Sequence, residues 1–419
     1  MIRVIELFGG MGAVHTALDR LNIDYQLVDM VEFDKKVVEA YNLIHNTNFQ
    51  PQDILTWNKD IKCDYLHAST PCQCFSIAGK QLGASDSRGA PLWEATLRVI
   101  KQTEPKIITL ENVKGLLSDK HKELVNWYIS ELDKLGYQTT YQVLNAKNFG
   151  APQNRERVFF ISWKKDLNID FMNLFNFKQY IPKCIKDILD NEATWLTPKE
   201  VIFLDKNTLI FKNEMRQYNG HIVKVNLLKA QESGNRIIKC AEIQRQKWDG
   251  TIGNCYDCRT RVYSDKGIFH ACDCTSANNV IQLEPAQSHI GKDMFNTNGI
   301  NICQNTMTNM NGIFSNCKKC PFDSDSKFFN KEGQSPTLLS TGCDFKNKLV
   351  DMTIQPFTIK YRTLTPRECF RLMDFSDEQF DKVKHFSTSR LTKLAGNSIV
   401  VECIRAILEN IFTKLKIIV

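Results

Sequence analysis

Through its first 160 residues the chain alternates short apolar runs with amphipathic stretches, and that alternation limits the possible folds more than any other feature. The runs Arg3 to Phe8, Tyr25 to Val31, Tyr65 to Ala68, Ile107 to Glu111 and Val158 to Trp163 read as strands. Between them, Ala13 to Leu21, Lys35 to Ile44, Leu92 to Lys101 and Lys122 to Leu135 carry apolar residues at helical spacing. Strand and helix in turn predict an α/β domain, a doubly wound, mostly parallel sheet covered on both faces. In such sheets ligands collect beyond the carboxyl ends of the strands. Phe8, Glu32, Asp53, Thr70 and Glu111 fall at or just after strand ends, so they are expected to line one crevice.

The regular pattern stops near Asn176. Asn, Lys, Cys and Gly become frequent, and no repeat of strand and helix survives to about Thr353. Helical spacing returns at Pro366 to Met373 and Val400 to Leu415. We therefore expect a first domain over 1–177, an inserted cysteine-rich domain over 178–354, and a C-terminal segment over 355–419 that completes the first. With 42% hydrophobic and 24% charged residues, large-scale disorder is not expected. No apolar stretch approaches the roughly 20 residues of a membrane span, and Met1 leads into Ile2 to Leu7 without a basic n-region or cleavage-like site. A cytoplasmic protein with no membrane partner is expected, and as a monomer. The net charge of +7 favours approach to a polyanion without requiring one.

Chemistry enters with the turn Phe8-Gly9-Gly10-Met11-Gly12-Ala13. Glycines after a strand let backbone approach a ligand and leave helix N–H groups free. Taken alone this is a weak signal, and it gains weight from Glu32, about 20 residues on, where an acid can accept bonds from two ribose hydroxyls. Phe33 can stack on a purine, and Asp53, just before Ile54, can take an adenine amine. The glycine spacing does not match a typical NAD fingerprint, so a smaller nucleoside such as S-adenosylmethionine fits better. Pro71 fixes a tight loop at a strand end, and Cys72 follows it. A free thiol is only a few per cent ionised at neutral pH, so a nucleophilic cysteine needs electropositive or donor-rich surroundings, and most cysteines are packing residues. Glu111 ends a β-rich run and should project into the same crevice, where desolvation would let it protonate a ring nitrogen. Arg155 and Arg157, two apart, face one side and can hold an exocyclic carbonyl and a phosphate.

Six segments together resemble the cytosine-C5 DNA methyltransferases: Phe8 to Ala13, Pro71-Cys72-Gln73, Glu111-Asn112-Val113, Gln153 to Arg157, Arg362 to Cys369 and Gly396-Asn397-Ser398, in the family's order. The likeness covers roughly 1–165 and 355–419. It implies the S-adenosylmethionine-dependent methyltransferase fold, with double-stranded DNA as partner. It makes Cys72 the nucleophile on cytosine C6, Glu111 the group on N3, Arg157 the group on O2, and Arg155 a brace for the active loop. Phe8, Gly10, Gly12, Glu32, Phe33, Asp53, Ile54 and Pro71 would bind the cofactor, with Asn397 and Ser398 closing its pocket. The final helix should then pack beside the first strand. The target base must leave the duplex, and Ser76 to Arg88 is a candidate closing loop. Ser69-Thr70 stands where the family usually has Gly-Phe or a similar pair, and Cys74 replaces a commoner Pro or Ala.

Nine of the 15 cysteines lie between Cys240 and Cys343. Without an export signal, metal ligation is a better functional reading than disulfides. Cys255-x-x-Cys258, Cys272-x-Cys274 and Cys317-x-x-Cys320 are the candidate ligands of a structural zinc, with Cys303, His270 and Cys240 as spares. By position the inserted domain would be a target-recognition domain, and Arg236, Arg245, Arg259 and Asn278 are candidate base readers. Two alternatives remain on the sequence alone, a tRNA cytosine-C5 methyltransferase of the same family and a non-catalytic, metal-bound DNA reader.

Overall fold

A computed structural model of the chain describes residues 1–71, 90–167, 173–199, 201–205, 207–212, 221–232, 236–246, 252–253, 261–269, 279–285 and 357–417. They fall into two compact units, the first built from Met1–Lys183 and Pro366–Val419, the second from Cys184–Phe269 and the later residues up to Thr365.

The first unit is a six-stranded sheet wrapped by helices. Strands β1 (Ile2–Leu7), β2 (Tyr25–Val31), β3 (Tyr65–Ala68), β4 (Ile107–Val113), β5 (Tyr137–Asn145) and β6 (Glu156–Lys164) lie in the order β2-β1-β3-β4-β6-β5. The first four are mutually parallel, whereas β6 pairs antiparallel with both neighbours, so the sheet is mixed with a single reversed strand. Helices α1 (Ala13–Arg20), α2 (Lys35–His45), α3 (Ala90–Thr103) and α4 (Lys122–Lys134) supply the crossovers. Alternation along the strands sends Ile5, Leu7, Leu66, Ala68, Ile108 and Leu110 into one core with Trp93 and Val99 of α3 and Tyr128 of α4. The intervening positions carry polar side chains. His67 Nδ1 and the Tyr65 hydroxyl both meet Thr109 Oγ1, at 2.7 and 2.6 Å.

Four C-terminal helices complete this unit. They are α6 (Pro366–Leu372), α7 (Asp377–Val383), α8 (Thr388–Asn397) and α9 (Val401–Lys414), the label α5 falling to Leu227–Gln231 of the second unit. Helix α9 packs on α1, and its Phe412 meets Tyr65 of β3 edge to face. Polar ties fix the others. Arg390 of α8 pairs with Asp34 at 2.9 Å, and Asp34 also caps the start of α2. Lys382 donates to the Ile44 carbonyl at 2.6 Å, placing a cation at the negative end of α2.

In the second unit β7 (Val201–Asp205), β8 (Thr208–Lys212), β9 (Ile222–Asn226), β10 (Lys239–Gln246), β12 (Arg261–Ser264), β13 (Asn279–Pro285) and β14 (Phe357–Thr363) form one sheet in the order β14-β13-β12-β10-β9-β8-β7, with β11 (Ile252–Gly253) beside β10. All its pairings are antiparallel except β12 with β13. The sequence showed no such strand pattern. Because β14 pairs with β13 along its whole length, residues 357–365 belong to this unit, and the return to the first falls at Pro366 and not at 355. Cys240 lies in this unit's core, its Sγ 3.7 Å from the Val262 carbonyl, and burial drives its thiol pKa up. Arg236 is on the surface, paired with Glu232 at 3.0 Å. Cys255, Cys258, Cys272, Cys274, Cys303, Cys317, Cys320, His270, Arg259 and Asn278 lie outside the described residues, so the sheet bears on neither the zinc expectation nor those two base readers.

Candidate active site

The glycine turn leaves β1 through left-handed backbone, with φ of +58° at Phe8, +56° at Gly10 and +76° at Gly12. Gly12 is required twice over. Its φ disfavours any side chain, and a β-carbon there would stand 2.2 Å from His45 Nε2. Beyond β2, Glu32 is largely buried, with its Oε1 accepting from the Asp34 N–H at 3.1 Å. Burial raises its pKa, opposed by backbone donors that include the Gly10 N–H, so the acid and the glycine turn meet. Phe33 beside it is 71% exposed and offers an open aromatic face. Asp53 is exposed, its carboxylate accepting from the Leu55 N–H at 2.9 Å, whereas Ile54 packs in the core with Trp57 and Trp93. Of that pair, Asp53 is the one presenting a side chain outward.

The next strand end is held from its neighbour. Asn112 of β4 donates through Nδ2 to the Thr70 carbonyl at 3.1 Å and to Thr70 Oγ1 at 2.9 Å. The threonine that departs from the usual family pair is therefore a hydrogen-bonding partner. It fixes the chain immediately before Pro71, which is exposed. Cys72, Cys74 and the loop Ser76 to Arg88 lie outside the described residues. The anchoring role of Asn112 was not read from the sequence, although its place between Glu111 and Val113 in one motif was a signal.

Glu111 is 8% exposed and forms an ion pair with Arg157, whose Nε stands 3.1 Å from Oε1. The β4/β6 register explains the meeting. Phe159 lies opposite Glu111, so Arg157 is its diagonal neighbour on the same face. Burial raises the Glu111 pKa, with Arg157 and then Arg155 acting in the opposite sense. Arg155 is buried and donates through Nη2 to the carbonyls of Gly396 at 3.0 Å and Ser398 at 2.8 Å. Gln153 reaches the Leu372 carbonyl at 2.6 Å. Thus the Gln153 to Arg157 segment grips the C-terminal helices with one end and Glu111 with the other. Asn397, exposed, and Ser398, buried, sit at the end of α8 where Arg155 holds the backbone.

Comparison with known proteins gives this arrangement its class. The fold is similar to that of a Dnmt2 methyltransferase from S. pombe, with a TM-score of 0.55 and 17% identity over 99% of both chains. It is also similar to a putative DNA modification methyltransferase encoded in an E. coli prophage, with a TM-score of 0.52 over 99% of this chain and 100% of that one, at 17% identity. At this level of identity the likeness is one of fold.

The profile of the C-5 cytosine-specific DNA methylases matches residues 2–413, and the chain belongs to that family. It is 28% identical to the orphan methyltransferase M.SPRI of Bacillus phage SPR over 99% of this chain and 97% of the relative. Identity to the type II methyltransferase M.BanI of Aneurinibacillus aneurinilyticus is 27%, over 98% and 96%. To M.HhaI of Haemophilus parahaemolyticus it is 32%, over 56% of this chain and 70% of that one. Among the described residues no helix is long and apolar enough to cross a membrane.

Proposed function

We propose that this family member is an S-adenosylmethionine-dependent methyltransferase that modifies cytosine C5 in double-stranded DNA. The observation that carries the reading is the buried Glu111–Arg157 pair at one strand end, beside a Thr70–Pro71 segment tied down by Asn112 and leading directly into Cys72.

The residues at the glycine turn fit an adenosyl cofactor. Left-handed backbone at Gly10 and Gly12 opens the turn, Glu32 offers a carboxylate to ribose hydroxyls, Phe33 an aromatic face and Asp53 an acceptor. Asn397 and Ser398 would close the pocket from the segment that Arg155 holds. When bound, S-adenosylmethionine supplies the electrophilic methyl group.

On the flipped base, the Cys72 thiolate would add to C6 while Glu111, protonated, holds N3 and Arg157 binds O2. The electron pair released towards C5 makes that carbon the nucleophile for the methyl group. Loss of the C5 proton and departure of the thiolate then restore the aromatic ring. Burial raises the Glu111 pKa, which favours the protonated form that this role needs. Extruding the base costs a few kcal/mol of stacking and pairing, and residues Ser76 to Arg88 would close over it. The second unit would recognise the target, with Cys255, Cys258, Cys272, Cys274, Cys317 and Cys320 holding structural zinc. Marking of phage or host DNA, or protection against a restriction enzyme, follows as the role.

Bisulfite sequencing of plasmid from a host producing the protein, with Cys72→Ser alongside, tests this directly. Protected cytosines at one short sequence, absent with Cys72→Ser, are expected. Methyl transfer to tRNA but not to duplex DNA would move the substrate to RNA. Transfer that survives Cys72→Ser would overturn the covalent mechanism.

A further inference from the structure

We propose that His15, Asp19 and His45 form a binding site for a divalent first-row transition ion of the zinc or nickel class, independent of the methyl-transfer reading. His15 and Asp19 stand one turn apart on α1, and His45 ends α2. One ligand atom from each lies within 4.8 Å of the others, with His15 Nε2 and Asp19 Oδ2 3.9 Å apart. Donors held at about 2.1 Å by one ion lie about 3.4 Å apart in a tetrahedral site, so capture must draw these atoms together by up to about 1.4 Å.

The other polar atom of each of these side chains is held by a hydrogen bond. His45 Nε2 lies 2.8 Å from the Met11 carbonyl, which can only accept. That nitrogen therefore carries the hydrogen, and Nδ1 keeps the lone pair. His15 Nδ1 lies 3.0 Å from the Tyr41 hydroxyl, which donates its own hydrogen to the buried Glu6 carboxylate. The tyrosine oxygen thus accepts from His15, and His15 Nε2 keeps the lone pair. Asp19 Oδ1 accepts from the Tyr25 hydroxyl at 2.6 Å, leaving Oδ2 towards His15. Metal-binding histidines and carboxylates are oriented by such hydrogen bonds from the atom that does not ligate.

Two imidazoles and one carboxylate suit zinc or nickel rather than calcium or magnesium, with water completing the coordination. The rings stack at 4.1 Å with 16° between their planes, so capture requires His15 to tilt out of parallel. Asp19, 57% exposed, is the entry from solvent. An ion held here would fix His45 and, through the Met11 carbonyl, the turn at Gly9–Gly12.

Titration calorimetry of the full-length protein with Ni²⁺, beside His15→Ala, Asp19→Asn and Tyr25→Phe, tests the site. The wild type should take up one equivalent more than His15→Ala, and the other two variants should bind that equivalent about tenfold more weakly or worse. All four proteins share the same cysteines, so metal held by those cancels in the comparison. Circular dichroism of the variants checks folding, and if His15→Ala fails to fold, the exposed Asp19→Asn carries the test. Equal stoichiometry and affinity in all four proteins would show that the cluster is a polar packing network and overturn the site.

Discussion

Glu111 sits where two electrostatic influences oppose each other. Desolvation favours its neutral form, and the nearby guanidiniums favour its anion, with the first prevailing. Its pKa in the folded chain is therefore above the unfolded value, and folding takes up protons. Stability from this residue is highest at low pH and falls as pH rises from the ordinary carboxylate range through the raised value. Glu111→Gln removes the titration while keeping the shape. The variant's melting temperature, minus that of the wild type, should increase with pH across this window, and methyl transfer should be lost. A difference that stays flat, or that decreases with pH, would show that the guanidiniums prevail. The nearness of Glu111 to Arg157 has a trace in the sequence, because local pattern puts both at strand ends. The grip of Arg155 on the Gly396 and Ser398 carbonyls, more than 200 residues away, is tertiary and left no local trace.

Among the elements, the strands of the parallel core were visible because buried runs of Ile, Leu and Val bound them. Strand β5 was missed, since Tyr137–Asn145 is an edge strand of mostly polar, half-exposed residues without the apolar run that marks a central strand. Helices α7 and α8 were missed for a similar reason. They are short, and what orders them is capping and ion pairing: Ser376 and Gln379 form a reciprocal cap, and Arg390 reaches Asp34. The C-terminal helices therefore depend on a few polar anchors. Arg155→Ala should lower the stability of the first unit by about 3 kcal/mol, the scale of two hydrogen bonds from a charged donor, read as a shifted denaturation midpoint. Arg155→Lys, with one point donor, should recover only part of it. A loss below about 0.5 kcal/mol, the usual range for surface changes, would show that the carbonyls are satisfied without it.

For the whole molecule, the strand and helix alternation of the first 160 residues has its counterpart in the first unit, whereas the strands of the second unit left no comparable pattern in the sequence. Its sheet is mostly antiparallel with one parallel pair, and β14 is recruited from far along the chain, a pairing that no short-range pattern reveals. The sheet of the first unit proved mixed because β6 returns beside β5. That reversal also brings Arg157 diagonal to Glu111, so the topology builds the pair on which the proposed chemistry depends.

In the proposed mechanism the thiol at position 72 bonds transiently to the base. A duplex carrying 5-fluorocytosine within the recognition sequence, incubated with the protein and S-adenosylmethionine, has no C5 proton to lose once methylated. A denaturation-resistant protein–DNA adduct should form with the wild type and be absent with Cys72→Ser. Turnover on the ordinary duplex with no adduct on the fluorinated one, or an adduct retained by Cys72→Ser, would contradict it.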